Sequence, residues 1–347
     1  MFCHIDFSMK IKAAIVGYGN VGKSVEKCIA ETSDFELVGI FSRRAPNTLN
    51  SPYGAKFFEQ KELFGERFQG QIDVAILSVG SAFDAQELGL KTAAHFCIVD
   101  SFDTHEKMKE YVETLNTAGK MCGTLAIVGC GWDPGLFSLM RALFASVMPD
   151  SIPQTFWGRG VSQGHSEAVR KIEGVKYATQ YTVPNEEAVR LAREERTDFA
   201  TREKHKRECY VVLDHEKRFG KPESDITEIE KQAFEEEVAA QIVNMPNYFA
   251  EYDTTVHFVN EAEYLVNHTR MSHAGRVVAV EKHGEVGSRA EFELALDSNP
   301  DFTAQVMIAY ARANYLLARS GETGAMTVLD VPIKYLLRGG KSGIAFV

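Results

Sequence analysis

Short apolar runs alternate with stretches of helical spacing over the first 130 residues. The runs are Ala13–Val16, Phe35–Phe41, Asp73–Val79, Phe96–Val99 and Leu125–Val128. Apolar segments this short, bounded by turn residues, read as strands covered on both faces. After the first, Val25, Cys28 and Ile29 recur at helical spacing and predict a helix over about Val21–Glu31. The alternation predicts an α/β fold built on a doubly wound parallel sheet. Ligands in such sheets sit beyond the carboxyl ends of the strands. Three of those ends are polar or glycine-rich: Gly80-Ser81, Asp100-Ser101-Phe102-Asp103, and the segment from Gly129 to Gly135.

From about Gln154 the texture changes. Strand-like runs at Lys176–Val183, Glu208–Leu213, Thr254–Val259 and Ala290–Leu296 predict a second, α+β domain with a mainly antiparallel sheet. Between them Asp214–Val243 is highly charged, with helical spacing at Ile226, Ile229, Phe234 and Val238, and reads as a solvated helix with one packed face. Asn299-Pro300-Asp301 starts a long helix, about Phe302–Arg319, that ends at Ser320-Gly321. Its return to the first domain would make that domain discontinuous. The expected domains are therefore 9–131, completed by part of 300–347, and 132–299.

Composition narrows the function classes. A chain of 347 residues with 45% hydrophobic and 25% charged content is ordinary for a globular protein of two domains. A net charge of −10 without any basic tract argues against nucleic acid as partner. No apolar run approaches the roughly 18 residues of a membrane helix. Met1–Ser8 lacks the features of a signal peptide, so a cytoplasmic enzyme that starts at Met9 is expected. The six cysteines, Cys3, Cys28, Cys97, Cys122, Cys130 and Cys209, show no C-x-x-C spacing and read as reduced thiols, with no metal site expected.

Residues 11–24, IKAAIVGYGNVGKS, satisfy two phosphate-binding patterns at once. Gly17, Gly19 and Gly22 form the G-x-G-x-x-G of a Rossmann-type dinucleotide fold. Gly17, Gly22, Lys23 and Ser24 also fit the loop of an NTPase. Both place phosphate at a helix N-terminus, where N–H groups and the dipole favour negative charge. The second strand favours the first reading. It ends in Ser42-Arg43-Arg44, and Arg43 lies 21 residues beyond Gly22, where the partner of the adenine ribose belongs. An acidic residue there would suit NAD; a serine and two arginines suit the 2′-phosphate of NADP. An NTPase would instead need an Asp closing another strand, which Phe96–Asp100 imitates.

Other residues look chemical rather than structural. The only tryptophans, Trp132 and Trp157, sit in glycine-flanked segments read as loops and suit pocket walls. Asp133, followed by Pro134, also reads as a helix N-cap. Of Asp100 and Asp103, one can face a cofactor while the other faces solvent. His165 reads as a helix-entry residue, 204–207 as a basic run before a strand of which one member could point inward, and His273 and Asn299 as loop residues.

Together these segments resemble the meso-diaminopimelate D-dehydrogenases along nearly the whole chain. The matching strings are AIVGYGNVGKSVEK, LVGIFSRR, VDSFD, GCGWDPGLFS, TFWGRGVSQGHS, QYTVP, HKREC and SNPDFTA. The resemblance implies NADP-dependent oxidative deamination of the D-centre of meso-2,6-diaminopimelate. The products are L-2-amino-6-oxopimelate, ammonia and NADPH; the reverse direction makes a precursor of lysine and the cell wall. It places NADP on Gly17, Tyr18, Gly19, Asn20, Val21, Gly22, Ser42, Arg43, Arg44, Ser78, Val79, Gly80, Ser81, Ser101 and Phe102. Cys130, Gly131 and Pro134 would line its nicotinamide end. Asp103 and Asp133 would serve the reacting amine. Trp132, Trp157, Gln163, Gly164, Thr182, Arg207, His273 and Asn299 would contact the substrate. A homodimer joined through the second domain is implied, and no metal. Cys130 stands where a small hydroxyl residue is expected, and 214–243 is longer than the family pattern. The rivals are another NADP-dependent reductase of an amino-acid pathway and a P-loop NTPase.

Overall fold

Within each early strand, successive side chains face opposite sides of the sheet, and both sides are apolar. The computed structural model describes residues 10–80, 85–195, 197–283, 286–338 and 346; Cys3, the start at Met9 and Ser81 lie outside them. The chain forms two compact units, Met1–Leu139 with Pro300–Val347, and Met140–Asn299.

The first part of the chain runs β1 (Ile11–Val16), α1 (Asn20–Glu31), β2 (Phe35–Ser42), β3 (Phe57–Glu59), β4 (Val74–Leu77), α2 (Ala85–Ala93), β5 (Cys97–Asp100), α3 (Met108–Cys122), β6 (Leu125–Val128) and α4 (Leu136–Val147). Then follow β7 (Gln154–Trp157), β8 (Gly160–Ser162), α5 (Gln163–Arg170), β9 (Val175–Pro184), α6 (Glu186–Glu194), α7 (Thr201–Lys204), β10 (His205–Leu213), α8 (His215–Phe219), α9 (Glu228–Val243), β11 (Thr254–Phe258), α10 (Glu261–Asn267), β12 (His273–His283) and β13 (Val286–Leu296). The chain closes with α11 (Asn299–Arg319) and β14 (Gly324–Thr327).

The first unit is a seven-stranded sheet in the order β14-β6-β5-β4-β1-β2-β3, with every pairing parallel. Ala13, Ile15, Ile40, Val74, Ile76 and Ile127 share one face with Val25 and Ile29 of α1 and with Ala304, Met307 and Ala311 of α11. Ala14, Val16, Phe41, Ala75, Leu77 and Val128 share the other with Tyr111 and Leu115 of α3. Each large apolar side chain buried this way stabilises the fold by about 1.5–3 kcal/mol. Asn314 of α11 donates to the carbonyls of Ile98 and Leu125, both at 3.0 Å, and so spans β5 and β6. The doubly wound sheet expected from the sequence is present.

The second unit holds two sheets. In one, β11-β10-β9-β8, β8, β9 and β10 are antiparallel and β11 joins parallel to β10; the other, β13-β12-β7, is antiparallel throughout. Several local expectations are corrected here. The charged segment is two helices, α8 and α9, rather than one. Phe234, Val238 and Ile242 form the buried stripe of α9, whereas Ile229 is 82% exposed and Ile226 is buried ahead of the helix. The N-terminus falls at Glu228 because Thr227 and Glu230 close a capping box there. Trp157 ends strand β7, His273 opens β12 and Asn299 opens α11, so none of the three is a loop residue. His205 and Arg207 belong to β10 itself, not to a run before it.

Candidate functional site

In the first unit, the residues picked out by sequence gather at the carboxyl ends of neighbouring strands. Gly17 closes β1 at φ +94°, beside the Ser78 carbonyl, a conformation glycine adopts without the cost that a Cβ imposes. A Cβ at Gly22 would collide with the Gly17 carbonyl, whereas one at Gly19 would meet no atom within 4 Å. The turn is therefore tight below and open above, where the N-terminus of α1 is aimed. Asn20 is exposed and Val21 half-buried there. Ser78, directly after β4, has a buried hydroxyl without a partner among the described residues. Val79 and Gly80 follow it, half-buried and exposed. At the end of β2, Ser42 is buried and its hydroxyl accepts the Arg44 amide at 3.1 Å, while Arg43 and Arg44 just beyond are exposed. This set fits a dinucleotide carrying a 2′-phosphate: donors at a helix end, an approachable glycine, an orphaned hydroxyl and two cations.

The NTPase pattern fails on two side chains. The Ser24 hydroxyl donates to Asp301 of α11 at 2.5 Å. Asp100, the candidate magnesium ligand, is fully buried and accepts from the Tyr111 hydroxyl at 2.6 Å and from the amides of Phe102 (3.1 Å) and Gly129 (3.3 Å). Burial raises its carboxyl to about 6, against the lowering effect of these donors. Asp100 thus ties the segment after β5 to the segment after β6, and the Cys130 amide reinforces the tie by donating to the Asp100 carbonyl at 2.8 Å.

Those two segments carry the candidate amine-binding carboxylates. Ser101 is half-buried, Phe102 is buried against Tyr111, and Asp103 is exposed. After β6, Cys130, Gly131, Trp132 and Pro134 are buried and Asp133 is half-buried. Burial pushes the Cys130 thiol well up, so it acts as a small apolar group. Trp132 meets Phe137 edge-on at 5.2 Å. The N-cap expectation for Asp133 is not met: α4 starts at Leu136, and Gly135 stands between, its amide donating to the Ser138 hydroxyl at 3.1 Å. Asp133 lies in the segment that follows β6.

In the second unit a separate group assembles around β7–β10. Thr182 of β9 lies opposite Arg207 of β10 in the ladder, and the guanidinium donates to the Thr182 hydroxyl at 2.6 Å. Arg207 is 8% exposed. It covers the Tyr252 ring at 4.1 Å, and among the described residues it has no carboxylate within ion-pair distance. Buried cations are ordinarily paired, and burial lowers the Arg207 pKa. Gly160 of β8 faces Thr182 and is packed against the His273 ring, where a Cβ would clash. Gln163 and Gly164 are exposed at the start of α5, and the Gln163 amide reaches the Met271 sulfur at 3.0 Å. Asn299 is tied to the same Met271 through its own amide, at 2.9 Å to the carbonyl.

The sequence placed His205 only within the basic run and did not single out Tyr252. His205 stacks on Trp157 with centroids 5.0 Å apart, and its Nε2 accepts the Trp157 amide at 2.8 Å. With Nδ1 3.2 Å from the Thr201 carbonyl, the partners specify the neutral tautomer carrying hydrogen on Nδ1. Burial lowers its pKa to about 4. His165, inside α5, is lowered to about 4 by burial and by Arg207. The alternation His205-Arg207-Cys209 inward was the available signal.

Comparison with known proteins covers both units. A meso-diaminopimelate D-dehydrogenase of Lysinibacillus sphaericus is 46% identical over 331 residues, 94% of this chain and 95% of its own. The chain belongs to the meso-diaminopimelate D-dehydrogenase family. The family model of the diaminopimelic acid dehydrogenase C-terminal domain matches residues 131–298. Among solved structures, the Corynebacterium glutamicum diaminopimelate dehydrogenase in complex with diaminopimelate is 40% identical, with a TM-score of 0.82 over 95% of this chain and 96% of that one. An engineered D-amino acid dehydrogenase bound to NADP+ is 38% identical, with a TM-score of 0.80 over 97% and 99%. Membership in this family of amino-acid dehydrogenases excludes the NTPase reading.

Proposed function

We propose that this chain oxidatively deaminates the D-centre of meso-2,6-diaminopimelate with NADP, releasing L-2-amino-6-oxopimelate, ammonia and NADPH. Support for the substrate comes from Arg207, a buried guanidinium whose described partners are a hydroxyl and an aromatic ring. A carboxylate supplied by the ligand completes it by a bidentate, charge-assisted pair. With Thr182, His273 and Asn299 it would hold the L-centre that does not react. Gripping that end is what distinguishes D from L in a molecule carrying the same groups at both ends.

The remaining residues take roles by chemistry. Gly17–Gly22 and Ser78–Gly80 would hold the cofactor's phosphates, Ser42–Arg44 its 2′-phosphate, and Ser101, Phe102 and Cys130–Pro134 its nicotinamide. Bound NADP supplies the hydride acceptor. Asp103 and Asp133 would hold the reacting ammonium and take its proton, leaving the nitrogen lone pair to expel hydride from the carbon. A water then delivers the carbonyl oxygen as ammonia leaves. Trp132 and Trp157, with Gln163 and Gly164, would limit the poses of the reacting carbon. We place the enzyme in the cytoplasm as a homodimer joined through the second unit. Among the described residues no helix is long and apolar enough to cross a membrane.

An NADP-reduction assay with meso-, LL- and DD-diaminopimelate tests the reading. Turnover of the meso isomer, with the LL isomer inert, is the expected result. Equal turnover of LL and meso would overturn it.

A further inference from the structure

Glu26 lies in α1, one turn beyond the glycine-rich segment, and is 1% exposed. A helix residue so placed would ordinarily be apolar, since burying a carboxylate is costly unless it is hydrogen-bonded. Both of its oxygens are engaged. One accepts from the Tyr18 hydroxyl at 2.5 Å, the other from the Ser51 hydroxyl. Tyr18 is itself buried, its ring edge-on to Phe57 at 5.0 Å. Its carbonyl oxygen accepts from the Arg44 guanidinium. Ser51 accepts the amides of Tyr53 (3.1 Å) and Ala55 (2.8 Å), so it orders the turn that follows the arginines.

We propose that Glu26 is a positioning residue for NADP selectivity, acting through Tyr18 on Arg44. The Glu26 carboxylate holds the Tyr18 side chain, and the Tyr18 carbonyl holds one arm of the Arg44 guanidinium. The other nitrogens of Arg44 are left for the 2′-phosphate, so the arginine is ordered before the ligand arrives. Through Ser51 the same carboxylate shapes the segment beyond β2. NAD lacks the 2′-phosphate and draws nothing from this chain of contacts. The inference rests on the assignment of Arg44 to the 2′-phosphate made above.

A carboxylate is required because it only accepts. An amide at position 26 would accept at one end and donate at the other, so one of the two hydroxyls would have to turn. Tyr18 has an alternative acceptor in the Asn50 carbonyl, 3.4 Å away. The experiment measures kcat and KM with NADP and with NAD for Glu26→Gln, Tyr18→Phe, Arg44→Ala and the Glu26→Gln/Arg44→Ala pair. Tyr18→Phe deletes only the hydroxyl and keeps the packed ring, so it reports even where the Glu26 variant folds poorly. The expected result is a roughly tenfold rise in KM for NADP in Glu26→Gln and in Tyr18→Phe. KM for NAD should change less than about twofold, and Glu26→Gln should add nothing in the Arg44→Ala background. A merely structural role would move both cofactors together, and that outcome, or no change with either, overturns the proposal while Arg44→Ala still loses selectivity. Unchanged selectivity in Arg44→Ala would instead remove the assignment of Arg44, and the proposal with it.

Discussion

Arg207 shows how a single side chain can differ from its neighbours in sequence. Residues 204–207 would ordinarily be a solvated basic run, but a strand follows directly and one member could point inward; Lys206 is exposed and Arg207 is buried. Period-two alternation along β10 turns one out and the other in. Replacing Arg207 with Met keeps the apolar stem and deletes the charge. We expect KM for meso-diaminopimelate to rise about 100-fold or more, as for loss of a bidentate charged contact of about 3 kcal/mol. Loss of the Thr182 bond and of the Tyr252 contact is offset by removal of a buried charge, so unfolding free energy should move by no more than about 1 kcal/mol. Steady-state kinetics beside thermal denaturation check both halves. Unchanged kinetics would return Arg207 to a structural role.

At the scale of elements, Asp100 joins the ends of β5 and β6, the two strands that present Asp103 and Asp133. Burial lifts its carboxyl from 3.8 to about 6. A carboxyl whose folded pKa is raised is more stable protonated. Its contribution is therefore full below about pH 3.8 and is lost progressively as pH rises through 6, about 3 kcal/mol in all. Asp100→Asn cannot ionise and should not show this loss. The stability of the variant relative to the parent should therefore improve by about 1–2 kcal/mol between pH 5 and pH 7.5, read by denaturant titration at the two values. A difference independent of pH would show that Asp100 does not titrate in this range. The tie itself was not visible in the chain. Asp100 and Asp103 looked equivalent along VDSFD, and only the packing of Tyr111 and Gly129 around Asp100 separates them.

For the molecule as a whole, a ligand that binds only the folded state stabilises it by mass action. NADPH at 100 times its Kd should add about 2.7 kcal/mol to the first unit, raising its thermal transition by roughly 5–10 °C. ATP with magnesium should not, because Ser24 and Asp100 are committed to Asp301 and Tyr111. Scanning calorimetry with each nucleotide decides it, and an equal shift with ATP would contradict the dinucleotide reading.

What the sequence determined by itself was the local chemistry. The β1–α1 turn was legible because only glycines suit its positive φ and close approach, and Ser42-Arg43-Arg44 because their spacing from the turn is set by one helix and one strand. The strands of the first sheet were legible because burial on both faces leaves uninterrupted apolar runs. Tertiary structure decided what depends on neighbours distant in sequence. Trp157 belongs to a strand because four residues of mixed polarity find a partner in β12, where Trp157 pairs with Gly275, 118 positions on. Asp133 does not stand at the N-cap position because α4 begins at Leu136, later than its Asp-Pro pair suggested. Glu26 looks like any acidic residue in an amphipathic helix until Tyr18 and Ser51 close over it. Hydrogen-bond partners and burial are properties of space, and a polar residue acquires its function from whichever groups the fold brings within about 3 Å.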